Sequence, residues 1–311
     1  MSVETRVKDH IVRATGLLVI EAVNSNPNGD PDRESDPRQR PDGRGEISPV
    51  SFKRKVRDLV ADKDGPVWTE AARGFPTPLS PAEFDILETR GRNRPQIRQE
   101  LKEVAEIEGS GKGIKEAKFV MKYWDGRIFG NTVLEEGAPG WIKTGVVQFG
   151  LGVSIAPVLV ERMTNTSKAG VEEGKDRGMA PLGYRIVQHG VYCMPFFVNP
   201  TAASKSGCTS RDIEVLLKVI PYAYSHTASY VRPFVGIRHA WYVEHKSRLG
   251  SCSDFALIAA LTPKKSSDPE KPSKAWEEYH VPESSDLPED LKNRIASIRD
   301  LVGSDDGTAR A

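Results

Sequence analysis

The stretch 17-LLVIEAVNSNPNGDPDRESDPRQRPDGRGEISPVSFKRKVRDLV-60 predicts the local fold around which the rest of the chain is arranged. Leu17 to Val23 is a short apolar run, typical of a buried strand. Residues 24–46 are rich in Asn, Asp, Gly and Pro, the residues that favour turns. Ser48 followed by Pro49 is typical of a helix N-cap and first helical position. The stretch therefore predicts a strand, a long polar loop and a helix.

The predicted helix combines an apolar stripe with a dense group of cations. Its apolar positions have the spacing of a face packed on a core: Phe52, Val56, Leu59 and Val60. Seven cations fall within residues 38–57, namely Arg38, Arg40, Arg44, Lys53, Arg54, Lys55 and Arg57. In a chain of net charge +1, this concentration indicates a local anion-binding site. On charge alone, a solvated basic helix face explains the pattern equally well.

Composition limits the class of protein. Apolar residues make up 38% and charged residues 28% of 311 residues, which predicts a modest core with extensive surface. Three scattered cysteines fit a reducing compartment and predict neither a disulfide framework nor a zinc cluster. No leader pattern and no apolar run near the length of a membrane span is present, so we expect a soluble, cytoplasmic protein without a membrane partner.

The middle of the chain predicts a helical insertion, further strands of the sheet and a hairpin. Residues 66–118 are punctuated by proline and read as a small helical insertion with a basic edge, formed by Arg90, Arg92, Arg94 and Arg98. Residues 115–131 and 145–160 have sheet-like composition. Gly150 and Gly152 in the second segment indicate close approach by another backbone, either a neighbouring strand or a phosphodiester chain. Residues 161–188 predict a long projecting hairpin.

The last third of the chain alternates strands and helices. Strands are predicted for residues 189–200, 238–244 and 255–261, and a helix for residues 209–223. Residues 263–290 are rich in Pro, Ser, Lys and Glu, which predicts a linker or flexible arm. An amphipathic helix is predicted near residues 288–302.

Four ordered motifs carry a family resemblance. They are 24-NSNPNGDPD-32 with 51-SFKRKVRDLV-60, 123-YWDGRIFG-130, 144-TGVVQF-149 with 154-SIAP-157, and 241-WYVEHKSRLG-250. Together they resemble the RNA-binding backbone subunit of type I CRISPR Cascade complexes, closest to the I-C and I-B branches, within the RAMP superfamily. Because the motifs occur in the expected order across most of the chain, the resemblance is specific.

The resemblance implies an α+β fold: a modified ferredoxin-like, RRM-like sheet with an inserted helical domain and a long β-hairpin thumb. Its palm corresponds to residues 1–65 with 119–262, the finger-like insertion to 66–118, the thumb to 161–188, and a C-terminal linker and helix to 263–311. The implied function is non-catalytic. Copies of the subunit oligomerise along a crRNA, together with other Cascade subunits, and present its bases for pairing with target DNA. Neither a cofactor nor a metal is implied.

The site residues follow from the motifs and the cation pattern. The predicted RNA-binding set is Asn26, Asn28, Arg44, Lys53, Arg54, Arg57, Gln148, Phe149, Ser154, Arg162, Met163, Arg177 and Met179. Arg90, Arg92, Arg94 and Arg98 are predicted to contact target DNA or a neighbouring copy. In the resembled family, a thumb displaces one nucleotide at regular intervals, and Met163 or Met179 is the candidate wedge. Packing of both methionines on the sheet is the alternative.

Two other functions remain open at this level. Asp30, Asp32 and Asp36 beside Asn28 could gather a divalent ion, and a metal-dependent ribonuclease of the RAMP superfamily, cutting target RNA or processing crRNA, is therefore an alternative. These aspartates lack the pattern of a calcium loop and are also common turn formers. A purely structural protein that assembles without RNA is the third class.

Overall fold

The computed structural model describes residues 11–89, 91, 95–96, 99, 118–130, 144–168 and 179–303. Eight strands form one antiparallel sheet with the order β12-β9-β1-β8-β6-β4, and β5 and β7 also pair with the long strand β8. These strands are β1 (Ala14–Ser25), β4 (Arg44–Ile47), β5 (Val147–Phe149), β6 (Gly152–Pro157), β7 (Val160–Lys168), β8 (Met179–Val198), β9 (Val235–His245) and β12 (Ile295–Asp300). The structure confirms a mixed α/β fold built on a large antiparallel sheet.

The predicted strand–loop–helix unit is confirmed. Strand β1 is central, pairing along its length with β8 on one side and β9 on the other. The loop that follows contains two short paired strands, β2 (Gly29–Asp30) and β3 (Asp36–Pro37). Helix α1 (Pro49–Ala61) begins as predicted, because the Ser48 hydroxyl accepts a hydrogen bond from the Ser51 amide at 3.2 Å.

Helices cover both faces of the sheet. Further helices with described bounds are α2 (Pro66–Ala71), α3 (Lys118–Lys122), α4 (Trp124–Phe129), α5 (Ala203–Ser206), α6 (Ser210–Val219), α7 (Asp254–Leu261) and α8 (Glu289–Lys292). Alternate residues of β1 point to opposite faces. Leu18 and Ile20 join the main core with α1, α4 and α6, whereas Leu17 packs with Leu257 and Leu261 of α7.

Three secondary-structure predictions are wrong. Residues 118–129 form α3 and α4 instead of sheet, residues 254–261 form helix α7 instead of a strand, and residues 295–300 form strand β12 instead of a helix. The run Phe255 to Leu261 is apolar at every position, so its periodicity cannot distinguish a helix from a strand. Strand β12 forms because it pairs with β9, a contact between distant parts of the chain.

The segment predicted as a flexible arm packs on the sheet. Strands β10 (Lys264–Lys265) and β11 (Tyr279–His280) pair with each other. Tyr279 is buried against Val19 and Val191, and its hydroxyl donates to the Ser273 hydroxyl at 2.9 Å. The predicted domain boundaries remain predictions, and most of the predicted insertion 66–118 beyond residue 89 lies outside the described residues. Across the described ranges, no helix has the length and apolarity that crossing a bilayer requires.

Candidate nucleic-acid interface

A surface groove runs between helix α1, the loop 26–35, the start of β8 and the segment 227–232. One part has a volume of about 650 Å³ and lies between α1 and residues 227–232. A second part of about 550 Å³ continues beneath the loop 26–35 and Tyr184. Ser51 and Arg232 line both parts, so the two parts are adjacent. The elements that build it are separated by up to two hundred residues in the sequence.

Cations dominate the first part of the groove. Arg54, Lys55 and Arg232 line it, with Asp58 as the acidic lining residue. Lys55 donates from Nζ to the Thr227 hydroxyl at 3.3 Å and lies over the ring of Tyr224. The Nε atom of Arg232 is buried and has no hydrogen-bond partner among the described residues. An anionic ligand in this groove would meet two guanidinium groups and a buried ammonium, which is an arrangement suited to phosphates.

Helix α1 divides the predicted basic cluster into two faces. Arg54 faces the groove, where it donates to the carbonyl of Glu88 and lies 3.9 Å from the Asp58 carboxylate. Lys53 and Arg57 instead lie beside the ring of Phe129, at 5.1 and 5.2 Å from its centroid. Burial, followed by repulsion from Arg57, lowers the pKa of Lys53.

Arg57 is a correction to the predicted phosphate-binding set. Its side chain is 5% exposed, and its Nε donates to the Asp125 carboxylate at 2.9 Å. Asp125 also accepts hydrogen bonds from the backbone amides of Leu87 and Glu88. A guanidinium that is buried and bound to a carboxylate cannot reach a phosphate in this conformation. Arg57 therefore fixes helix α1 to α4, and sequence reasoning missed this because Asp125 lies far along the chain.

Three further predicted contacts are structural. Phe149 lies in the core, 5.0 Å from the ring of Phe52 and stacked on Phe196 at 5.2 Å, so it cannot stack on RNA. Ser154 is buried and its hydroxyl accepts from the Gly45 amide at 2.8 Å. The side chain of Asn28 accepts from the Ser48 amide at 2.7 Å and thereby fixes the entry to α1. Asn28 also lines the second part of the groove, so its RNA contact remains a prediction.

Other predicted contacts stay open to solvent or border the groove. Gln148 is exposed, and Arg44 pairs with Glu270 at 3.4 Å. Arg162 and Met163 lie on β7, where Met163 is paired with Tyr184 of β8 and is 37% exposed. Asn26 lines the second part of the groove. Their roles remain predictions.

Five predicted residues lie outside the described residues, namely Arg90, Arg92, Arg94, Arg98 and Arg177. Met179 is described only by its backbone, which pairs with Lys168. Among the groove residues, Tyr184, Tyr230 and Arg232 are not predicted from the sequence, and Lys55 is predicted only as a member of the cation cluster. The sequence signal for the first three is the juxtaposition of tyrosine and arginine in 184-YR-185 and 230-YVR-232.

The motif 123-YWDGRIFG-130 holds two buried ion pairs. Besides Arg57–Asp125, Arg127 binds both oxygens of Asp212, with Nη2 to Oδ1 at 2.7 Å. The other Arg127 hydrogen bonds reach the carbonyls of Glu83, Val120 and Met121. Asp212 also forms the capping box of α6 with Thr209. This motif therefore ties α4 to α6 and to the segments around it.

The motif 241-WYVEHKSRLG-250 places a buried histidine in a polar network. The Ser251 amide donates to His245 Nδ1 at 3.1 Å, which leaves the proton on Nε2 in the neutral ring. Nε2 lies 3.0 Å from the Thr15 hydroxyl and 3.3 Å from the Asp254 carboxylate. Burial lowers the pKa of His245 even though Asp254 favours the charged form.

The lowered pKa of His245 predicts a pH-dependent stability. The unfolded chain binds a proton at His245 near pH 6.5, whereas the folded chain resists it, so the free energy of unfolding should fall as the pH decreases from about 7 to 5. In urea titrations, the stability difference between the wild type and His245→Gln should shrink over this range. Parallel curves for His245→Gln and the wild type would contradict this assignment.

Comparison with known proteins decides the family. The family model for CRISPR-associated protein Cas7 matches residues 12–283. The chain belongs to the Cas7 family. A structure of a CRISPR RNA-guided surveillance complex is similar at 16% identity and a TM-score of 0.45, covering 80% of this chain and 75% of that chain. A second such complex, described as pre-nicking, has 17% identity and a TM-score of 0.47, covering 80% and 83%. Comparison with curated proteins gives no match.

Membership of the Cas7 family confirms the resemblance inferred from the four motifs. The assignment to the I-C or the I-B branch remains a prediction. In this Cas7 chain, the motif residues Asp125, Arg127 and His245 make internal hydrogen bonds, so these two motifs stabilise the fold of the chain. The groove beside α1 is lined by residues outside those two motifs.

Proposed function

We propose that this Cas7 chain is a non-catalytic, crRNA-binding backbone subunit of a Cascade complex. Its copies associate along one guide RNA and, with other Cascade subunits, leave the bases of the guide available for pairing with target DNA. The observation that carries the proposal is the first part of the groove, in which Arg54, Lys55 and Arg232 converge. Family membership supports the same conclusion independently of this geometry.

The groove favours contact with the RNA backbone. Guanidinium groups bind phosphate oxygens through charge-assisted hydrogen bonds, and such contacts position a strand without reading its sequence. Arg54 and Arg232 supply these groups from opposite walls, since one lies on α1 and the other follows the turn at Ser229. Lys55 adds positive charge and holds Thr227 in place. A protein that grips the backbone in this way leaves sequence reading to base pairing.

The aspartates considered for a metal site have structural partners. The Asp30 carboxylate accepts from the Asp32 amide at 3.2 Å and lies 3.7 Å from Arg38, while Asp36 forms an ion pair with Arg185. Within the described part of the chain, no group of three or more His, Cys, Asp or Glu side chains could hold a metal ion. We therefore propose that these aspartates stabilise the loop 26–37. The proposed role of the chain is accordingly non-catalytic.

Charge reversal in the groove tests the proposal. We expect the double variant Arg54→Glu/Arg232→Glu to bind single-stranded guide RNA more weakly than the wild type, because two phosphate contacts are lost. The slope of log affinity against log salt should become less negative by about 1.4, since each phosphate on a single strand contributes about −0.7. Fluorescence anisotropy at several salt concentrations measures both quantities.

The matched control is Arg73→Glu/Lys271→Glu, which reverses two exposed cations away from the groove, with side chains 71% and 78% exposed. This control has the same net charge as the groove variant, so it corrects for the overall field of the protein. Equal salt slopes for the two double variants would overturn the assignment of the groove. Circular dichroism first establishes that the groove variant is folded. Binding of the two double variants is then compared.

A further inference from the structure

The second part of the groove has a different chemistry from the first. It is lined by two tyrosines, Tyr184 from β8 and Tyr230 from the segment 227–232. Their ring centroids are 5.4 Å apart and their planes meet at 63°, so the rings contact each other edge to face. Tyr230 is 61% exposed, which leaves most of its ring surface accessible to a ligand. Flat aromatic molecules stack on such a ring.

A buried hydrogen-bond acceptor lies in the same compartment. Asn26 is 5% exposed and lines the second part of the groove. Its Nδ2 donates to the carbonyl of Ser35 at 2.7 Å, and its backbone amide donates to the carbonyl of Val231. Because the amide nitrogen must face the Ser35 carbonyl, the orientation of the side chain is fixed. Its Oδ1 is then buried with no hydrogen-bond partner in the described part of the chain.

An unpartnered buried acceptor favours a ligand that donates an N–H group. Buried polar atoms in folded proteins are almost always hydrogen-bonded, and an exception at the lining of a groove indicates a missing partner. Nucleobases combine a flat aromatic ring with N–H groups at the ring edge. They therefore match both features of this compartment, the exposed ring of Tyr230 and the Oδ1 of Asn26.

The position and size of the compartment fit a base attached to a strand in the first part of the groove. Arg232 and Ser51 line both parts, so a nucleotide whose phosphate lies near Arg232 can place its base beside Tyr230. The volume of about 550 Å³ is within the range of small-molecule sites. Arg185 lies at the rim, bound to Asp36.

We propose that this compartment, defined by Asn26, Tyr184 and Tyr230, binds one nucleobase of the RNA, stacked on Tyr230 and donating an N–H to Asn26 Oδ1. The inference rests on the proposed function, because it requires RNA in the first part of the groove. It adds a contact to a base, whereas the cations contact only the backbone. The contact accepts any base that presents an N–H group at this edge, so it holds one nucleotide without imposing a unique sequence.

The first test separates base contacts from backbone contacts. The wild type is titrated with oligoadenylate and with an abasic RNA of the same length, which carries the same phosphates. We expect oligoadenylate to bind about 5- to 100-fold more tightly, from the usual strength of base–aromatic stacking. Tyr230→Ala should remove most of this difference. Tyr230→Trp should restore it, because the indole ring also stacks.

The second test addresses Asn26 through the ligand, so that the protein keeps its fold. Purine riboside has the same ring system as adenosine but lacks the exocyclic amino group and offers no N–H donor. An RNA of purine riboside should bind the wild type several-fold more weakly than oligoadenylate while retaining its advantage over abasic RNA. Equal affinities for the two purine RNAs would refute the contact to Asn26 Oδ1.

The outcomes distinguish this inference from the proposed function. If abasic RNA and oligoadenylate bind equally, and both are weakened by Arg54→Glu/Arg232→Glu, the base compartment is wrong and the backbone-binding groove stands. If no RNA binds the folded wild type, the proposed function fails and this inference fails with it. A free nucleoside that binds as tightly as oligoadenylate would identify a small-molecule site in place of an RNA contact.

Discussion

Replacing Arg127 by methionine should lower the free energy of unfolding by about 3–5 kcal/mol, the usual cost of breaking a buried ion pair from one side. The variant leaves the Asp212 carboxylate, which is 1% exposed, without its guanidinium partner. It also removes the donor from the carbonyls of Glu83, Val120 and Met121. Equilibrium urea unfolding followed by circular dichroism measures the difference.

Two further variants identify the cause of this loss. Adding Asp212→Asn to Arg127→Met removes the uncompensated charge, and the double variant should therefore be more stable than Arg127→Met alone. Arg73→Met is the matched control, because it breaks an exposed ion pair with Glu70, which contributes little to stability. The explanation fails if Arg127→Met is no less stable than Arg73→Met.

Replacing Gly145 by alanine should have the second largest effect, a loss of about 1–3 kcal/mol or more. A β-carbon at Gly145 would overlap the backbone of Phe129 and Gly130, which cannot move aside as a flexible side chain can. The glycine of the motif 144-TGVVQF-149 is therefore needed because it lies against the end of helix α4. Thermal and urea unfolding of the purified variant measure the loss.

Gly236→Ala provides the matched comparison for Gly145→Ala. Gly236 lies in strand β9, and a β-carbon added there meets no atom within 4 Å. Alanine at this position should be neutral or slightly stabilising, because it restricts the unfolded chain without creating a clash. Similar losses in the two variants would show that the cost comes from the substitution type and not from the contact with α4.

The sequence predicts those parts of the fold that are determined locally. Strand β1, helix α1 and its Ser48 cap follow from an apolar run and a capping signal within one stretch. Helix α6 is predicted for the same reason, since Thr209 and Asp212 form its capping box. Strand β12 depends on pairing with β9, more than fifty residues away, and local periodicity carries no information about that pairing.

The candidate site is predicted less completely than the fold. The cation cluster near α1 predicts an anion-binding site, but the sequence does not show which of its cations pair with carboxylates elsewhere in the chain. Arg57 pairs with Asp125 and Glu88, which lie in distant segments of the chain. Only the structure therefore shows that Arg57 is not available to the candidate interface. Conversely, Tyr184 and Tyr230 approach each other from separate segments, and neither belongs to a recognisable motif. Interfaces built from several loops are therefore visible only once the sheet has brought those loops together.

Strand β12 limits where another strand can pair with the edge of the sheet. The main-chain N–H and C=O groups along the outer side of β9 would otherwise form an open edge, which is a template for pairing with another chain. Here the antiparallel register from Ile295 opposite His245 to Asp300 opposite Trp241 occupies the C-terminal part of that edge. The chain thus covers residues 241–245 of β9 with its own later segment. Another strand could pair with this part of β9 only after β12 had detached.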